Sequence, residues 1–256
     1  MKYLDVFKLG IKDSKYFRSN FYFGFLTIPT YAILTYFLWR FGDFSNKSIG
    51  FTEQSIISYF IILQIFTLVF QPAMYVAYEM WDSINDGSII VWMTKPINLM
   101  LSKFMEKFAA FIIRYLPCVL IIGVTVNLLF NVSIYNVLYG AVSGLLGFIL
   151  LFLIQYLIGI QTFWFKNIIS FRDFIFEFFG IIGGTVLPID FFPNWIKIIA
   201  EFSPLPYIYY APSKIISGAE LNPTNLIFKQ LIWIIILYAI SNLLYSKGRN
   251  KVVQGG

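Results

Sequence analysis

The sequence contains no histidine and only one cysteine, Cys118. Without histidine it lacks the usual general base, the commonest metal ligand and any Ser–His or Cys–His nucleophile pair. A lone cysteine cannot form an internal disulfide. Because Cys118 lies in an apolar run, we expect it to be a small buried side chain. These absences remove most familiar routes to enzyme catalysis.

Charge is also scarce: charged residues make up 12% of the 256 residues and hydrophobic residues 59%, with a mean hydropathy of +0.74. Soluble domains carry about a quarter charged residues. A soluble globule of this size could not hide so much apolar surface, and the chain is too apolar for disorder. Its long unbroken apolar runs favour helices over the alternating strands of a barrel. The composition therefore predicts an all-α integral membrane protein.

Six apolar segments come near the roughly 20 residues that cross a bilayer as a helix. The predicted transmembrane helices are residues 21–40, 55–78, 108–130, 137–161, 168–187 and 226–245. The fifth is the weakest prediction, because its first half carries Arg172, Asp173 and Glu177.

Lysine and arginine are distributed unevenly between the two predicted sides of the membrane. If residue 1 is cytoplasmic, the inner segments hold 13 of the 19 basic residues and the outer segments hold only Lys47, Lys197 and Lys214. Positive charge accumulates on cytoplasmic loops. We therefore expect both termini to be cytoplasmic and the protein to lie in the cytoplasmic (inner) cell membrane.

Residues 1–20 have aromatic and aliphatic side chains on one helical face and Lys8, Lys12 and Lys15 on the other. This pattern is typical of an amphipathic helix that lies in the membrane interface. Two interpretations remain open: an anchor for the first span, or a helix that also touches a cytosolic partner.

Few charges fall inside the predicted spans. Arg114 and Lys229 lie within about two turns of a span end, where they either snorkel to the interface or line a site for an anionic head group. Asp173 and Glu177 are four residues apart on one helical face. We interpret them as the wet cytoplasmic end of the fifth span rather than as a catalytic pair.

Two non-spanning stretches carry stronger patterns. Residues 79–107 read EMWDSINDGSIIVWMTKPINLMLSKFMEK, with a turn signal at Asp86–Gly87 and an apolar stretch that Pro96 ends. An amphipathic element here needs a partner surface or lies on lipid. Residues 188–225 contain LPIDFFPNW and SPLPYIYYAPSKIISG. They are too rich in proline for one span and too aromatic for a solvated loop, so we expect short re-entrant helices.

The sequence has no GxxxxGK[ST] phosphate-binding loop and no cysteine or histidine cluster. We therefore expect no ATPase activity from this chain alone, no catalytic residues, and no metal or other cofactor bound to it.

Taken together, the layout resembles the permease subunit of an ABC-2 type transporter. NDGSIIVWMTKPIN resembles the segment after span two in one branch of uncharacterised ABC-2 export permeases, and LPIDFFPNW followed by LPYIYYAPSKIISG resembles their outer signature before the last span. The resemblance covers nearly the whole chain and implies a single transmembrane domain over residues 1–256.

The resemblance also implies partners and site residues. A second permease chain, identical or paralogous, would complete the membrane pathway, and two copies of a separate ATP-binding-cassette ATPase would hold ATP and Mg. The coupling segment that meets the ATPase would contain Asp82, Asp86, Gly87, Trp92, Lys95 and Pro96. The outer gate and substrate path would contain Phe191, Phe192, Trp195, Tyr207 and Tyr210.

The leading functional hypothesis is an ATP-driven exporter of an amphipathic or hydrophobic substrate such as a drug, peptide or lipid-like molecule. The spans offer few polar groups to replace the hydration of a sugar or small ion, whereas the chain has 29 Phe and 17 Tyr. The alternative is an ion-coupled secondary carrier that works without an ATPase. It would be expected to show repeats, broken helices and midplane carboxylates. An intramembrane enzyme is a third alternative. Membrane lipid is an expected partner and nucleic acid is not.

Overall fold

The computed structural model describes residues 3–16, 23–24, 26–41, 51–94, 98–130, 132–165 and 168–254. Within these residues every regular element is helical. The first six α-helices are α1 Tyr3–Tyr16, α2 Thr27–Phe41, α3 Glu53–Met74, α4 Val76–Asn85, α5 Ile89–Met93 and α6 Leu99–Phe130. The remaining five are α7 Ile134–Ile160, α8 Ile169–Ile182, α9 Asn194–Glu201, α10 Tyr210–Ile216 and α11 Pro223–Gln254. Short 3₁₀ turns lie at Gln161–Phe163, Ile189–Phe191 and Leu205–Tyr207.

Four helical runs in the described residues are long and apolar enough to cross a membrane. They are Glu53–Asn85, Leu99–Val124, Ile134–Phe163 and Pro223–Asn250. They coincide with the second, third, fourth and sixth predicted spans. The all-α membrane fold class is therefore confirmed, and the chain is a multi-pass membrane protein.

The helices at the first and fifth predicted spans are shorter. α2 has 15 residues and α8 has 14. At 1.5 Å per residue they reach about 22 and 21 Å, against a hydrocarbon core of about 30 Å. α8 ends at Ile182, before a turn that contains Gly184 at a φ of 82°. The count of six crossings therefore stays a prediction.

Side-chain caps fix the start of two long helices. Thr52 Oγ1 accepts from the Ser55 backbone N–H, and the Thr52 N–H donates to Ser55 Oγ in return. Ser133 Oγ accepts from the backbone N–H of Tyr135 at the start of α7. These caps satisfy backbone donors that the first helical turn leaves free. Both lie at helix ends predicted to be outside.

Helix α7 forms the centre of the packing and contacts α3, α4, α6, α10 and α11. Its Phe148 ring stacks on Phe111 of α6 at a centroid distance of 4.0 Å, and Phe70 of α3 lies against both rings. Cys118 is buried beside this core, as predicted. Aromatic packing therefore joins the long helices.

Helices α4 and α6 extend into the stretch that the sequence assigned to a cytoplasmic segment. α4 continues to Asn85, and α6 begins at Leu99, nine residues before the predicted third span. The physical reason is that residues 99–107 carry two lysines and one glutamate that form salt bridges with each other and with Glu79 of α4, as described below. What separates the two helices is a short connection that includes α5.

Helix α1 packs along α6. The hydroxyl of Tyr3 accepts from the backbone N–H of Asn98 over 3.0 Å. A Cβ added at Gly10 would lie only 2.4 Å from the Glu106 carbonyl oxygen, so glycine permits this close approach. The predicted amphipathic helix is therefore seated on the chain's own third span, with Leu4 and Leu9 left exposed.

Candidate functional site

A sharp turn follows α4 at the predicted cytoplasmic end. Gly87 has a φ of 77°, and the Ser88 backbone N–H donates to Asp86 Oδ1 over 2.8 Å. This hydrogen bond holds the pKa of the Asp86 carboxyl below its ordinary value, so the carboxylate is ionised near neutral pH. Glycine accepts a positive φ at little cost. We call residues 86–94, from this bend through α5, the coupling turn.

The coupling turn has one buried face and one exposed face. Ile89 is buried, whereas Ile90 and Val91 are 52% and 56% exposed. Trp92 is half-buried and packs against the main core, with Lys103 Nζ 5.9 Å from its ring centroid. The apolar side chains that the turn presents outward are therefore Ile90 and Val91, while Trp92 packs against the core.

The structure brings four of the six predicted coupling residues to this turn. Asp82 lies on the last turn of α4 and its carbonyl accepts from the Asp86 N–H; both carboxylates are on exposed residues. Gly87 and Trp92 lie as described above. Lys95 and Pro96 lie outside the described residues. The predicted role of these residues is contact with another protein, so they need not form a ligand-binding pocket.

Salt bridges join α4, which precedes the coupling turn, to α6, which follows it. Glu79 of α4 pairs with Lys103 Nζ at 3.1 Å and also with Lys107. Glu106 pairs with Lys107 at 2.8 Å. Both lysine side chains are nearly buried, at 11% and 12% exposure. The two helices that carry the turn are therefore fastened together, a pairing across 24 and 28 residues that the sequence pattern did not reveal.

Arg172 joins three helices at the predicted inner end of the fifth span. Its guanidinium donates to the Met74 carbonyl oxygen (2.9 Å), to Gln155 Oε1 (3.3 Å) and to the Tyr78 hydroxyl (3.0 Å). It also pairs with Asp173 and lies over the rings of Tyr78 and Phe176. The residue is only 7% exposed.

Met74 is the last residue of α3, and Tyr75 separates α3 from α4. Arg172 therefore binds the second span at its interruption. From the sequence, Arg172 was recognisable only as a charge near Asp173 and Glu177. Its fork of five N–H donors explains why a single arginine can hold all these acceptors.

A polar cluster organises residues 188–225, which we call the outer segment. Asp190 accepts from the Tyr210 hydroxyl over 2.7 Å and from Lys214 Nζ over 2.9 Å. Lys214 also pairs with Glu220 at 3.4 Å, and Lys197 lies 3.8 Å from Asp190. These contacts tie the 3₁₀ turn at Asp190 to α9 and α10.

The five predicted gate aromatics divide between two places. Phe192 and Tyr210 pack in a small cluster with Tyr59 at the start of α3, and the Phe191 ring lies 6.1 Å from that of Phe51 beside it. Tyr207 is buried on the other side of the segment and donates to the Glu201 carbonyl. Trp195 is 65% exposed. The structure therefore does not bring all five together.

A cleft of about 620 Å³ lies between α2, α3, α8 and the outer segment. Its wall is mainly apolar, with polar contributions from Gln64, Thr67, Glu177 and Thr185. Among the described residues that line it, none of the five predicted gate aromatics appears. Its aromatic side chains are Tyr31, Phe60, Phe176 and Tyr209.

Glu177 lies in the wall of this cleft, in the middle of α8. Tyr59 near the start of α3 donates to the Gly184 carbonyl just after α8, while Met74 at the end of α3 meets Arg172 near the start of α8. The two helices therefore run antiparallel, and Glu177 lies beside the middle of α3. The assignment of Glu177 to the wet cytoplasmic end of the fifth span stays a prediction.

Arg114 and Lys229 occupy different surroundings. Arg114 is half-buried on α6 and its Nη1 lies 3.4 Å from Gln71 Oε1 of α3. Lys229 is half-buried on α11 and lines a separate groove with Glu201. The described residues contain no group of three or more cysteine, aspartate or glutamate side chains placed to hold a metal ion.

Comparison with known proteins assigns the family. No curated protein matches the chain at a significant level. A family model described as "ABC-2 family transporter protein" matches residues 25–256, which is nearly all of the sequence. This match agrees with the apolar helices and with the sequence resemblance noted above. The chain is therefore a membrane transport component that belongs to the ABC-2 family of transporter proteins.

Proposed function

We propose that this chain is the permease subunit of an ATP-driven exporter. The family implies association with an ATP-binding-cassette subunit. ATP and Mg would bind to that partner, and this chain would have no ATPase activity of its own. The observation that supports the proposal is the coupling turn: Ile90 and Val91 are exposed on it, and salt bridges join α4, which precedes it, to α6, which follows it. Because α4 and α6 are joined to each other, movement of the turn would move both helices, whereas a turn between unconnected helices could move alone.

The exposed aliphatic pair supplies the apolar anchor of the proposed ATPase contact. Interfaces derive most of their binding energy from a few buried apolar or aromatic side chains. Ile90 and Val91 would be covered by the ATPase, while Trp92 holds the turn against the core from behind. Asp82 and Asp86 would lie at the polar rim, with Lys95 and Pro96 following in sequence.

We further propose that the assembled transporter contains two permease chains, identical or paralogous, and that each crosses the membrane six times. α2 and α8 would form the first and fifth crossings, and the 3₁₀ turns and short helices of the outer segment would dip into the outer leaflet. The basic residues that favour the predicted inner side support cytoplasmic termini in the inner cell membrane.

The substrate class follows from the cleft. Its wall is apolar over most of its area, with an amide, hydroxyls and one carboxylate on the described lining residues. Such a wall suits an amphipathic molecule, because it buries apolar groups and leaves few unpaired polar ones. The outer aromatics Phe191, Phe192, Trp195, Tyr207 and Tyr210 would lie on the exit side of this path.

Co-purification and ATP hydrolysis test the proposal together. The permease would be co-expressed with candidate ATP-binding-cassette proteins from the same organism, and the complex reconstituted in liposomes. Ile90→Glu combined with Val91→Glu should abolish co-purification, because two charges would be buried in the contact. Asn85→Glu adds a charge at an exposed site of the same bend without removing an apolar side chain, and should leave co-purification intact. Equal recovery of the ATPase with both variants would reject the coupling role.

The ion-coupled carrier remains a second candidate, because Glu177 beside the middle of α3 resembles the carboxylates that proton-coupled carriers use. Transport in liposomes distinguishes the two. The exporter requires ATP and the partner, while the carrier would move substrate with the permease alone when a proton gradient is imposed.

A further inference from the structure

A second cavity lies away from the cleft, between the end of α9 and the first turns of α11. This groove has a volume of about 340 Å³ and is lined by Glu201, Phe202, Tyr207, Lys229, Ile232, Trp233 and Ile236. Its volume falls within the roughly 300–1,000 Å³ of small-molecule sites. The proposed export function places Tyr207 of its wall on the exit side of the substrate path, but it gives no role to Lys229 or Glu201.

The four α11 residues in the groove follow one another along a single helical face. Lys229, Ile232, Trp233 and Ile236 are spaced at three, four and seven residues from the first. Lys229 is nearest the helix start at Pro223, and Ile236 lies about 10 Å further along the helix axis. The groove therefore has a charged end near the predicted outer surface and an apolar end toward the bilayer centre.

The charged end holds one cation and one anion that form no salt bridge with any described residue. The other basic residues of the outer segment, Lys197 and Lys214, both approach Asp190. Within the described part of the chain, neither the Glu201 carboxylate nor the Lys229 ammonium belongs to a salt bridge. They line the same groove without pairing with each other.

We propose that this groove binds a phospholipid with a zwitterionic head group that carries a primary ammonium, as in phosphatidylethanolamine. Lys229 donates to the lipid phosphate, and the Glu201 carboxylate accepts from the lipid ammonium. One acyl chain lies along Ile232, Trp233 and Ile236. An anionic lipid would leave Glu201 facing a negative head group, which like-charge repulsion disfavours. The inference does not depend on which solute the chain transports.

Native mass spectrometry of the purified permease tests this proposal. The probes are phosphatidylethanolamine and phosphatidylglycerol with identical acyl chains, added at equal concentration. The unmodified protein should retain phosphatidylethanolamine in preference. Lys229→Met and Glu201→Gln should each reduce that retention by roughly tenfold, the effect of losing one charge-assisted contact. Lys247→Met, at the other end of α11, is the matched control and should leave retention unchanged.

A fluorescence measurement locates the acyl chain. Phosphatidylethanolamine with brominated chains should quench tryptophan emission, and Trp233→Phe should remove most of that quenching. Quenching that persists in Trp233→Phe would place the lipid elsewhere and overturn the proposal.

Three further results would overturn it. The first is equal retention of the two lipids by the unmodified protein, which needs no variant and so cannot be attributed to misfolding. The second is loss of retention in Lys229→Met with none in Glu201→Gln, which would indicate an anion site. The third is efficient cross-linking between copies through Ile236→Cys in a Cys118→Ala background, which would show that a second chain covers the groove.

Discussion

The guanidinium of Arg172 donates a hydrogen bond to the backbone carbonyl of Met74 over 2.9 Å, at the residue where the second-span helix is interrupted. This bond joins α8 to the end of α3, which α4 continues toward the coupling turn. Since Arg172 also binds Gln155 on α7, one side chain fixes the relative position of three helices. Movement of the coupling turn would therefore reach α8 through this residue.

Arg172→Lys should lower stability and weaken coupling between ATP hydrolysis and transport. Lysine keeps the charge but cannot reach three separated acceptors or stack on Tyr78 and Phe176. Each lost hydrogen bond from a charged donor costs about 1.5–3 kcal/mol. Thermal unfolding in detergent measures the loss. Arg249→Lys, at an exposed site on α11, is the matched control; equal unfolding temperatures for the two variants would contradict the prediction.

Asp190→Asn should loosen the outer segment more than Glu220→Gln does. Asp190 accepts from both Tyr210 and Lys214, whereas Glu220 pairs only with Lys214 among the described basic groups. Hydrogen exchange over residues 188–216 reports the loosening. A double-mutant cycle with Lys214→Met should give a coupling of about 0.5–3 kcal/mol for Asp190. Zero coupling would mean that the Asp190–Lys214 contact contributes nothing.

Gly87→Ala and Gly184→Ala should differ although both glycines have a φ near 80°. A Cβ at Gly87 would have no atom within 4 Å. Backbone strain alone should therefore lower the free energy of unfolding of this variant, by about 1–2 kcal/mol. At Gly184 the new atom would lie 3.0 Å from Tyr210 Cβ, which adds a steric term. Thermal unfolding should rank Gly184→Ala as the less stable. Gly87→Asn, which tolerates a positive φ, should restore much of the stability lost in Gly87→Ala. The reverse ranking of the two alanine variants would contradict this account.

Glu177→Gln should change substrate preference without changing the dependence on ATP. A carboxylate in a largely apolar wall attracts cationic amphiphiles, and its amide isostere does not. Stimulation of ATP hydrolysis by a cationic amphiphile should fall several-fold relative to a neutral one of similar size. Glu220→Gln, outside the cleft, should leave the ratio unchanged. An unaltered ratio in Glu177→Gln would remove Glu177 from the substrate path.

Cysteine labelling tests the predicted orientation. In a Cys118→Ala background, Glu220→Cys should react with a membrane-impermeant thiol reagent added outside intact cells. Lys247→Cys should react only after the membrane is permeabilised. The two residues flank the same membrane-crossing helix, so each serves as the control for the other. Labelling of position 247 from outside would reverse the assigned topology.

The sequence predicted the long helices well because each contains an apolar run with few charges. Such a run is stable only as a helix in the interior of the bilayer. The second, third, fourth and sixth spans coincide with the membrane-length helices, and the bend at Asp86–Gly87 lies where the turn signal placed it. Span ends were less predictable. Residues 99–107 are too polar to count as membrane-spanning, yet they continue α6, because Lys103 and Lys107 find Glu79 on a neighbouring helix.

The candidate site depended on contacts that periodicity does not encode. Asp190 and Lys214 are 24 residues apart and Arg172 and Met74 are 98 apart, so only the folded chain reveals that they meet. The cleft that Glu177 lines was not predictable either, because its wall comes from α2, α3, α8 and the outer segment, which are far apart in the sequence. The outer aromatics were grouped by proximity in sequence, but the buried Tyr207 faces α11 and not the cluster of Tyr210.

The close seating of Gly10 on α6 has a practical consequence for labelling studies. Because α1 lies against the same helix that carries the coupling turn, a spectroscopic probe on the exposed Leu4 would report displacement of α6 without touching the ATPase contact. A bulky fusion partner joined immediately ahead of Tyr3 would disturb the packing of α1 on α6, because the Tyr3 hydroxyl accepts a hydrogen bond from the Asn98 backbone N–H. Affinity tags and fluorescent proteins therefore belong at the other terminus.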